Sequence, residues 1–279
     1  MNTDDPTVLP YEGRRADNAP GHWLLARLGK RVLRPGGLEL TRDLLRHAEI
    51  TGSDVVELAP GLGRTATDIL AADPRSYVGV EKDPDAARLT ERAVGARGRV
   101  VTEDAASTGL PDASADVVLA EAMLTMQSDA SKRAIIAEAA RVLRPGGRYA
   151  IHELGLVPDD LDAEFTTELR RELARVIKVN ARPLTVAEWR ALLEEAGLVV
   201  EWTSVAPMAL LQVRRNIADE GPLGVLRIVR NVLRDADARR RVLAMRSLFH
   251  RHRDTLRGVA VVARRVDRDP TRADVEQEG

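Results

Sequence analysis

A short apolar segment that leads directly into two closely spaced glycines constrains this sequence most. Residues 54–59 have the composition of a buried strand, and Pro60-Gly61-Leu62-Gly63 follows before a helical pattern that continues to about Ala72. Glycine tolerates positive φ angles and lets another molecule approach the backbone closely. The segment therefore predicts a strand, a tight loop against a ligand, and a helix.

Short apolar segments and helical patterns then alternate along the chain. Such alternation is typical of βαβ units in a parallel sheet that is covered on both faces. We therefore predict an α/β fold with a Rossmann-like, doubly wound, mostly parallel seven-stranded sheet. After the first strand, the others are predicted at 77–81, 99–102, 116–120, 148–152, 198–203 and 258–264.

Several helical segments have no role in such a core. We expect them to form a lid over the carboxyl ends of the strands, where open α/β sheets bind ligands. The last residues are charged and poor in apolar side chains, which predicts disorder. The predicted organisation is an N-terminal arm and lid helix (1–37, with the helix at 22–33), a core (38–266) with helical insertions at about 156–182 and 214–254, and a tail (267–279).

Composition excludes several classes of function. The 279 residues contain no cysteine, which excludes disulfides, thiolate metal sites and cysteine nucleophiles. The net charge of −1 argues against the global attraction of non-specific nucleic-acid binders. No apolar segment is long enough to span a bilayer, and the N-terminus lacks a secretory pattern. We expect a cytoplasmic protein that neither associates with a membrane nor uses a catalytic metal.

An acidic residue follows the glycine loop at a distance that suits nucleotide binding. Glu81 ends the second predicted strand, about 20 residues after the loop, where a carboxylate can accept hydrogen bonds from a ribose diol. Taken alone, a glycine loop with this acid is a general dinucleotide-type pattern. An NAD-dependent dehydrogenase is therefore one interpretation.

Three further segments narrow the choice. Residues 103–105 follow the third strand, 110–118 lead into the fourth, and Arg-Val-Leu-Arg-Pro-Gly-Gly at 141–147 leads into the fifth. In this order and spacing, the set resembles the class I S-adenosylmethionine-dependent methyltransferases of the small-molecule type, over roughly residues 50–155. The resemblance implies S-adenosylmethionine as cofactor and in-line transfer of its methyl group to a small-molecule acceptor.

The same resemblance assigns residues to the cofactor. In the family pattern a glycine usually stands where this chain has Ala59, so we expect a slightly displaced cofactor. Its methionine half is expected against the glycine loop, its ribose at Glu81, and its adenine after the third strand. The cofactor-binding residues so implied are Glu57, Ala59, Gly61, Gly63, Glu81, Lys82, Asp104, Ala105 and Glu121.

Catalytic and acceptor residues are predicted at the carboxyl ends of later strands and on the added helices. A base is needed only if the nucleophile carries a proton that must leave. Glu121 after the fourth strand and His152 after the fifth are the candidates. The residues expected to line the acceptor pocket are His22, Trp23, Met123, Met126 and Phe165.

Two further interpretations stay open at this point. One is a non-catalytic protein that binds S-adenosylmethionine or a partner through an intact loop. The other is an RNA or DNA methyltransferase that uses the arginines of residues 214–253, although the sequence after the fourth strand, Glu121-Ala-Met-Leu, differs from the pattern of amino-group DNA methyltransferases. The acceptor atom and the oligomeric state are open as well.

Overall fold

The computed structural model describes residues 20–30, 33–208 and 213–266, without the side chains of 213–220. The predicted arm up to residue 19 and the predicted tail at 267–279 lie outside the described residues. The strands are β1 (Asp54–Leu58), β2 (Ser76–Val80), β3 (Arg99–Val101), β4 (Ala115–Glu121), β5 (Leu143–Leu156), β6 (Leu184–Thr185), β7 (Leu198–Pro207) and β8 (Leu256–Arg265). The helices are α1 (Gly21–Arg27), α2 (Gly37–His47), α3 (Arg64–Ala71), α4 (Pro84–Val94), α5 (Asp129–Val142), α6 (Ala163–Ile177), α7 (Val186–Glu195), α8 (Val213–Arg234) and α9 (Ala236–Arg251).

The strands form one sheet in the order β3-β2-β1-β4-β5-β8-β7. The first five are parallel, and β8 runs antiparallel to both β5 and β7. This confirms the predicted Rossmann-like, mostly parallel sheet. The chain builds outward from β1 through β2 to β3 and then crosses back to β4. The crevice between the carboxyl ends of β1 and β4 is therefore the switch point at which such sheets bind ligands.

The central strands are apolar because both of their faces are covered. Val56 and Val118 pack into the core on one face of the sheet. Val55, Val117 and Leu119 pack into a second core on the other face. This alternation follows from the two-residue period of a strand and explains why each strand reads as a continuous apolar segment.

Several elements differ in length from their predictions. The helix predicted at 22–33 ends at Arg27, because Leu28 and Gly29 turn the chain and Gly29 takes a φ of 100°. The fifth strand is much longer than predicted, since the antiparallel ladder with β8 extends from Arg148 to Leu156. The short β6, which pairs with the end of β5, was not predicted.

The added helices pack over the carboxyl end of β5. Leu154 and Leu156 of this strand share a separate apolar core with Leu24 of α1, Leu173 of α6 and Leu248 of α9. α8 is interrupted at Gly221, whose backbone angles are non-helical. The helices therefore lie beside the switch point, where they can contribute to a ligand site.

Among the described residues, no helix is long and apolar enough to cross a membrane. The same part of the chain holds no group of three or more His, Asp or Glu side chains that could bind a metal ion.

Candidate active site

The loop after β1 bends through three residues with positive φ: Ala59 at 53°, Gly61 at 59° and Gly63 at 68°. A Cβ atom on Gly63 would lie 2.7 Å from the Cβ of Ala93, so this glycine allows α4 to pack against the loop. At Gly61 the nearest atom to such a Cβ is the Ala59 carbonyl oxygen, at 3.9 Å. The loop is thus closed toward α4 at Gly63 and open at Gly61.

A cavity of about 290 Å³ lies in front of this loop, at the carboxyl ends of β1, β2 and β4. It brings together eight of the predicted site residues from four separate parts of the chain. The lining residues that the sequence analysis predicted are His22, Trp23, Ala59, Gly61, Glu81, Glu121, Met123 and Met126. Those it missed are Leu33, Arg34, Pro60, Leu62, Arg64, Thr65, Asp83, Ala122 and Gln127.

Glu81 links the second strand to the loop. Its carboxylate accepts hydrogen bonds from the backbone N–H of Gly61 and from that of Asp83, each at 3.0 Å. Burial raises the pKa of Glu81. Each carboxylate oxygen retains acceptor capacity beyond its one backbone bond, so the group can still bind the two hydroxyls of a ribose.

The other predicted cofactor and pocket residues do not line this cavity. Glu57 is buried behind the loop, where it accepts a hydrogen bond from the Tyr77 hydroxyl at 2.6 Å, and burial raises the pKa of Glu57 to about 8. Lys82 and Asp104 form an exposed ion pair at 2.7 Å. The remaining predicted residues that are absent from the lining are Gly63, Ala105, His152 and Phe165.

Glu121 is the centre of a buried hydrogen-bond network. Its carboxylate accepts hydrogen bonds from the hydroxyls of Thr41 and Thr65, and Arg34 Nε lies 3.4 Å from its Oε2 atom. Burial alone would raise the pKa of Glu121, but the positive charge of Arg34 and a hydrogen bond from His152 lower this pKa to about 2. Glu121 is therefore a carboxylate whose charge is already compensated.

His152 lies next to Glu121 because the two residues are register partners in β4 and β5. Its Nδ1 atom is 2.7 Å from Glu121 Oε1, and its Nε2 atom accepts the Gly36 N–H at 3.0 Å. The side chain is completely buried. Both ring nitrogens are thus occupied by protein groups, and His152 itself does not line the cavity, so a role in positioning Glu121 suits His152 better than the predicted role of base.

Arg34 is the buried charged residue among those that the sequence analysis missed. It lies in the turn before α2, a Leu-Arg-Pro-Gly-Gly segment that indicated only the end of a helix. Its Nη2 atom binds Asp68 at 2.9 Å, and only 3% of its side chain is exposed. Burial alone would lower the pKa of Arg34, yet the nearby carboxylates of Glu121 and Asp68 raise it. The guanidinium is therefore charged inside the cavity wall.

A second, more apolar cavity of about 100 Å³ lies beside the first. The two cavities share the lining residues His22, Leu33, Ala122 and Met126, and therefore adjoin each other. The second is otherwise lined mostly by side chains of the added helices and by the end of β5. These include Leu25, Leu154, Ile177, Met245 and Phe249, and Met208, just after β7, also lines the cavity.

The polar groups of this second cavity are few. The carboxylate of Glu153 accepts the backbone N–H groups of Met123, Leu124 and Thr125, together with the Thr125 hydroxyl, so its acceptor capacity is used by the protein. His22 stands where the two cavities meet, and burial lowers its pKa to about 4. At neutral pH, the junction therefore carries an uncharged imidazole.

These features fit S-adenosylmethionine. The open loop at Gly61 admits a ligand against the backbone, Glu81 can accept the ribose hydroxyls, and Arg34 offers a cation to a carboxylate. The doubly wound sheet with its antiparallel strand β8, together with this site at the switch point, defines a class I methyltransferase architecture.

Comparison with known proteins identifies the same class. Residues 56–151 match the methyltransferase-domain family. An uncharacterised protein of Haemophilus influenzae is 32% identical over 256 residues, which cover 90% of this chain and 100% of that protein. The 27-O-demethylrifamycin SV methyltransferase of Amycolatopsis mediterranei is 35% identical over 156 residues, which span 54% of this chain and 55% of the enzyme.

Solved structures share the fold. The phosphoethanolamine N-methyltransferase 2 of Haemonchus contortus, determined in complex with S-adenosyl-L-methionine, superposes with a TM-score of 0.64 at 16% identity, over 88% of this chain and 57% of that chain.

The present chain belongs to the class I S-adenosylmethionine-dependent methyltransferases. It is an enzyme with S-adenosylmethionine as its cofactor, and this decides against the dehydrogenase and the non-catalytic binding protein.

Proposed function

We propose that the protein transfers the methyl group of S-adenosylmethionine to a small apolar acceptor held in the second cavity. One observation carries the proposal: the apolar cavity adjoins the cofactor cavity through His22, Leu33, Ala122 and Met126. An acceptor in the one and a cofactor in the other would meet at this junction. The predicted role of Met126 and His22 in an acceptor pocket agrees with it.

Methyl transfer depends mainly on the alignment of the methyl donor with the acceptor. The bound cofactor supplies an electrophilic methyl group on a sulfonium. Holding two reactants in line can contribute about 7–11 kcal/mol toward the barrier. The positive charge of the sulfonium is lost in the transition state, so apolar walls such as Ala122, Met123 and Met126 suit the transfer better than an uncompensated carboxylate. The network around Glu121 keeps its charge paired.

His22 is the best-placed polar group for the acceptor. An uncharged imidazole with a pKa of about 4 is a weak base, but it can hydrogen-bond a hydroxyl or amine and aim the nucleophile. We assign His22 this orienting role, and we assign Glu121 and His152 the role of positioning the end of β4. A nucleophile that must lose a proton would then arrive ionised, or the product would release the proton to bulk water after the site opens.

The added helices serve as the lid in this proposal. The lid helix within residues 1–37 and the insertions at about 156–182 and 214–254 would close the site over the core of 38–266 and exclude water from the reaction. We also infer a cytoplasmic enzyme, because a chain of 279 residues without cysteine suits a reducing compartment.

A relative's substrate supports the acceptor class. The Amycolatopsis mediterranei enzyme is named as a methyltransferase for 27-O-demethylrifamycin SV. Of this chain, we infer only the shared chemistry: a small, largely apolar molecule that carries a nucleophilic heteroatom.

The proposal can be tested by filling the second cavity with a larger side chain. Met245 lines this cavity and is buried on α9, whereas Leu243 on the same helix is 56% exposed. Transfer of tritiated methyl groups from S-adenosylmethionine to a panel of phenols, amines and alcohols should identify an acceptor. Met245→Trp should abolish that transfer and leave the affinity for S-adenosylhomocysteine within about twofold. The matched control, Leu243→Trp, should preserve both.

Unchanged transfer in Met245→Trp would place the acceptor elsewhere and overturn the proposal. Parallel loss of S-adenosylhomocysteine binding would indicate misfolding, and the smaller change Leu25→Phe then repeats the test from α1. Transfer to RNA or DNA in place of the panel would also reject the proposed acceptor class.

A further inference from the structure

Arg34 has one guanidinium nitrogen that the protein does not use. Nη2 binds Asp68 and Nε faces Glu121, but Nη1 is buried and has no hydrogen-bond partner among the described residues. A buried donor without an acceptor lowers the stability of the folded protein, and more so when the group is charged. Such a cost persists in a binding site when a ligand supplies the missing acceptor.

The position of Arg34 specifies what that acceptor can be. The side chain lines the cofactor cavity, and the open loop residue Gly61 and the start of α3 line the same cavity. Gly63 is the N-cap of α3 and has no side chain to accept the first N–H groups of this helix. A helix N-terminus and a guanidinium both favour an anion.

We infer that Nη1 of Arg34 binds the carboxylate of the methionine moiety of S-adenosylmethionine. The other end of the site faces Glu81, which suits the ribose, so the amino-acid end of the cofactor lies toward Arg34, Thr65 and Glu121. This end is a zwitterion, so it brings no net charge to a network in which Arg34 already faces the carboxylates of Asp68 and Glu121. The carboxylate completes the hydrogen bonding of Arg34.

Arg64 is the obvious competitor. It also lines the cavity, and its Nε is likewise buried without a hydrogen-bond partner among the described residues. However, 41% of the Arg64 side chain is exposed and its Nη2 lies 3.6 Å from Asp68, so its charge is solvated and loosely held. Arg34 is 3% exposed and fixed by two carboxylates. A guanidinium that is held rigidly and shielded from water recognises a carboxylate more selectively than a mobile one.

Calorimetry with three ligands tests the inference on the full chain. S-Adenosylmethionine has the carboxylate, its decarboxylated form lacks only that group, and 5′-methylthioadenosine lacks the whole amino-acid end. The wild-type protein should bind S-adenosylmethionine roughly 10- to 100-fold more tightly than the decarboxylated form. Arg34→Met should bind these two with equal affinity and keep the wild-type affinity for 5′-methylthioadenosine. Arg64→Met should keep the wild-type preference.

Three results would overturn the inference. The first is a wild-type protein that does not prefer the carboxylate, which needs no variant. The second is an Arg34→Met protein that keeps the preference, or an Arg64→Met protein that loses it. The third is an equal loss of all three ligands in Arg34→Met, which would make Arg34 structural. The inference depends on the cofactor and not on the acceptor, so its failure is distinguishable from failure of the proposed substrate class.

Discussion

His152 donates a hydrogen bond from Nδ1 to Oε1 of Glu121, across 2.7 Å between neighbouring strands. The tautomer follows from the other nitrogen: Nε2 faces the Gly36 N–H, which can only donate, so the ring proton is on Nδ1. The histidine therefore connects the turn before α2 to the end of β4. Arg34 belongs to this turn, so the hydrogen bond between Gly36 and His152 also holds the Arg34 side chain beside the cofactor cavity.

His152 is expected to support the fold and not the proton chemistry. His152→Phe would leave the Gly36 N–H and part of the Glu121 carboxylate unpaired, which should lower the free energy of unfolding by about 2–3 kcal/mol. His152→Gln, which can replace both bonds, should lose less. Urea unfolding followed by the fluorescence of the buried Trp189 measures both. A general base contributes about 10²- to 10⁴-fold, so a folded His152→Gln protein that loses 100-fold in turnover would contradict a purely structural role for His152.

The two glycines of the loop should respond differently to alanine. Gly63→Ala forces a Cβ to within 2.7 Å of Ala93 at a positive φ, so we expect about 2–4 kcal/mol of lost stability. Gly61→Ala meets only the Ala59 oxygen, at 3.9 Å, and should lose about 1 kcal/mol while its affinity for S-adenosylhomocysteine falls. Urea unfolding and calorimetry on each variant test the contrast. Similar stability losses at both sites would contradict it.

Replacing Ala59 by glycine should stabilise the protein. Its φ of 53° is strained for a residue with a Cβ, so Ala59→Gly should raise the free energy of unfolding by about 0.5–1 kcal/mol. Ala66, buried within α3, is the matched control, because Ala66→Gly should lower stability by about 1 kcal/mol. If Ala59→Gly is as destabilising as the control, the backbone at Ala59 is not strained.

The parts of the site that are close in sequence were the predictable ones. A strand, two glycines and an acid 20 residues later are local patterns, and the loop, Gly61 and Glu81 lie together as those patterns indicate. Arg34 could not be predicted, because its partners Asp68 and Glu121 lie far away in sequence and meet it only in the folded sheet. No local pattern distinguishes such an arginine from one that ends a helix.

The same reasoning explains two other differences. Glu57 matches the family pattern, but it is buried behind the loop and its Oε2 atom accepts the hydroxyl of Tyr77 on the adjacent strand β2, a contact that depends on strand pairing. His152 is a polar residue at a strand end, which is typical of a catalytic site. Its burial follows from the docking of Gly36, which is 116 residues away, and is invisible in the sequence around it.

His22 should make stability depend on pH. Burial lowers its pKa from 6.5 to about 4, so the unfolded chain takes up a proton below pH 6.5 that the folded protein refuses until about pH 4. This contribution to stability is therefore complete above pH 6.5 and is lost as the pH falls toward 4, by about 1–3 kcal/mol. His22→Phe should remove that loss, whereas the exposed control His250→Phe should keep it. Urea unfolding at pH 7, 5.5 and 4.5 gives the free energy of unfolding of the three proteins. If this free energy changes with pH identically in wild type and His22→Phe, His22 titrates normally. It is then not the uncharged group at the junction of the two cavities.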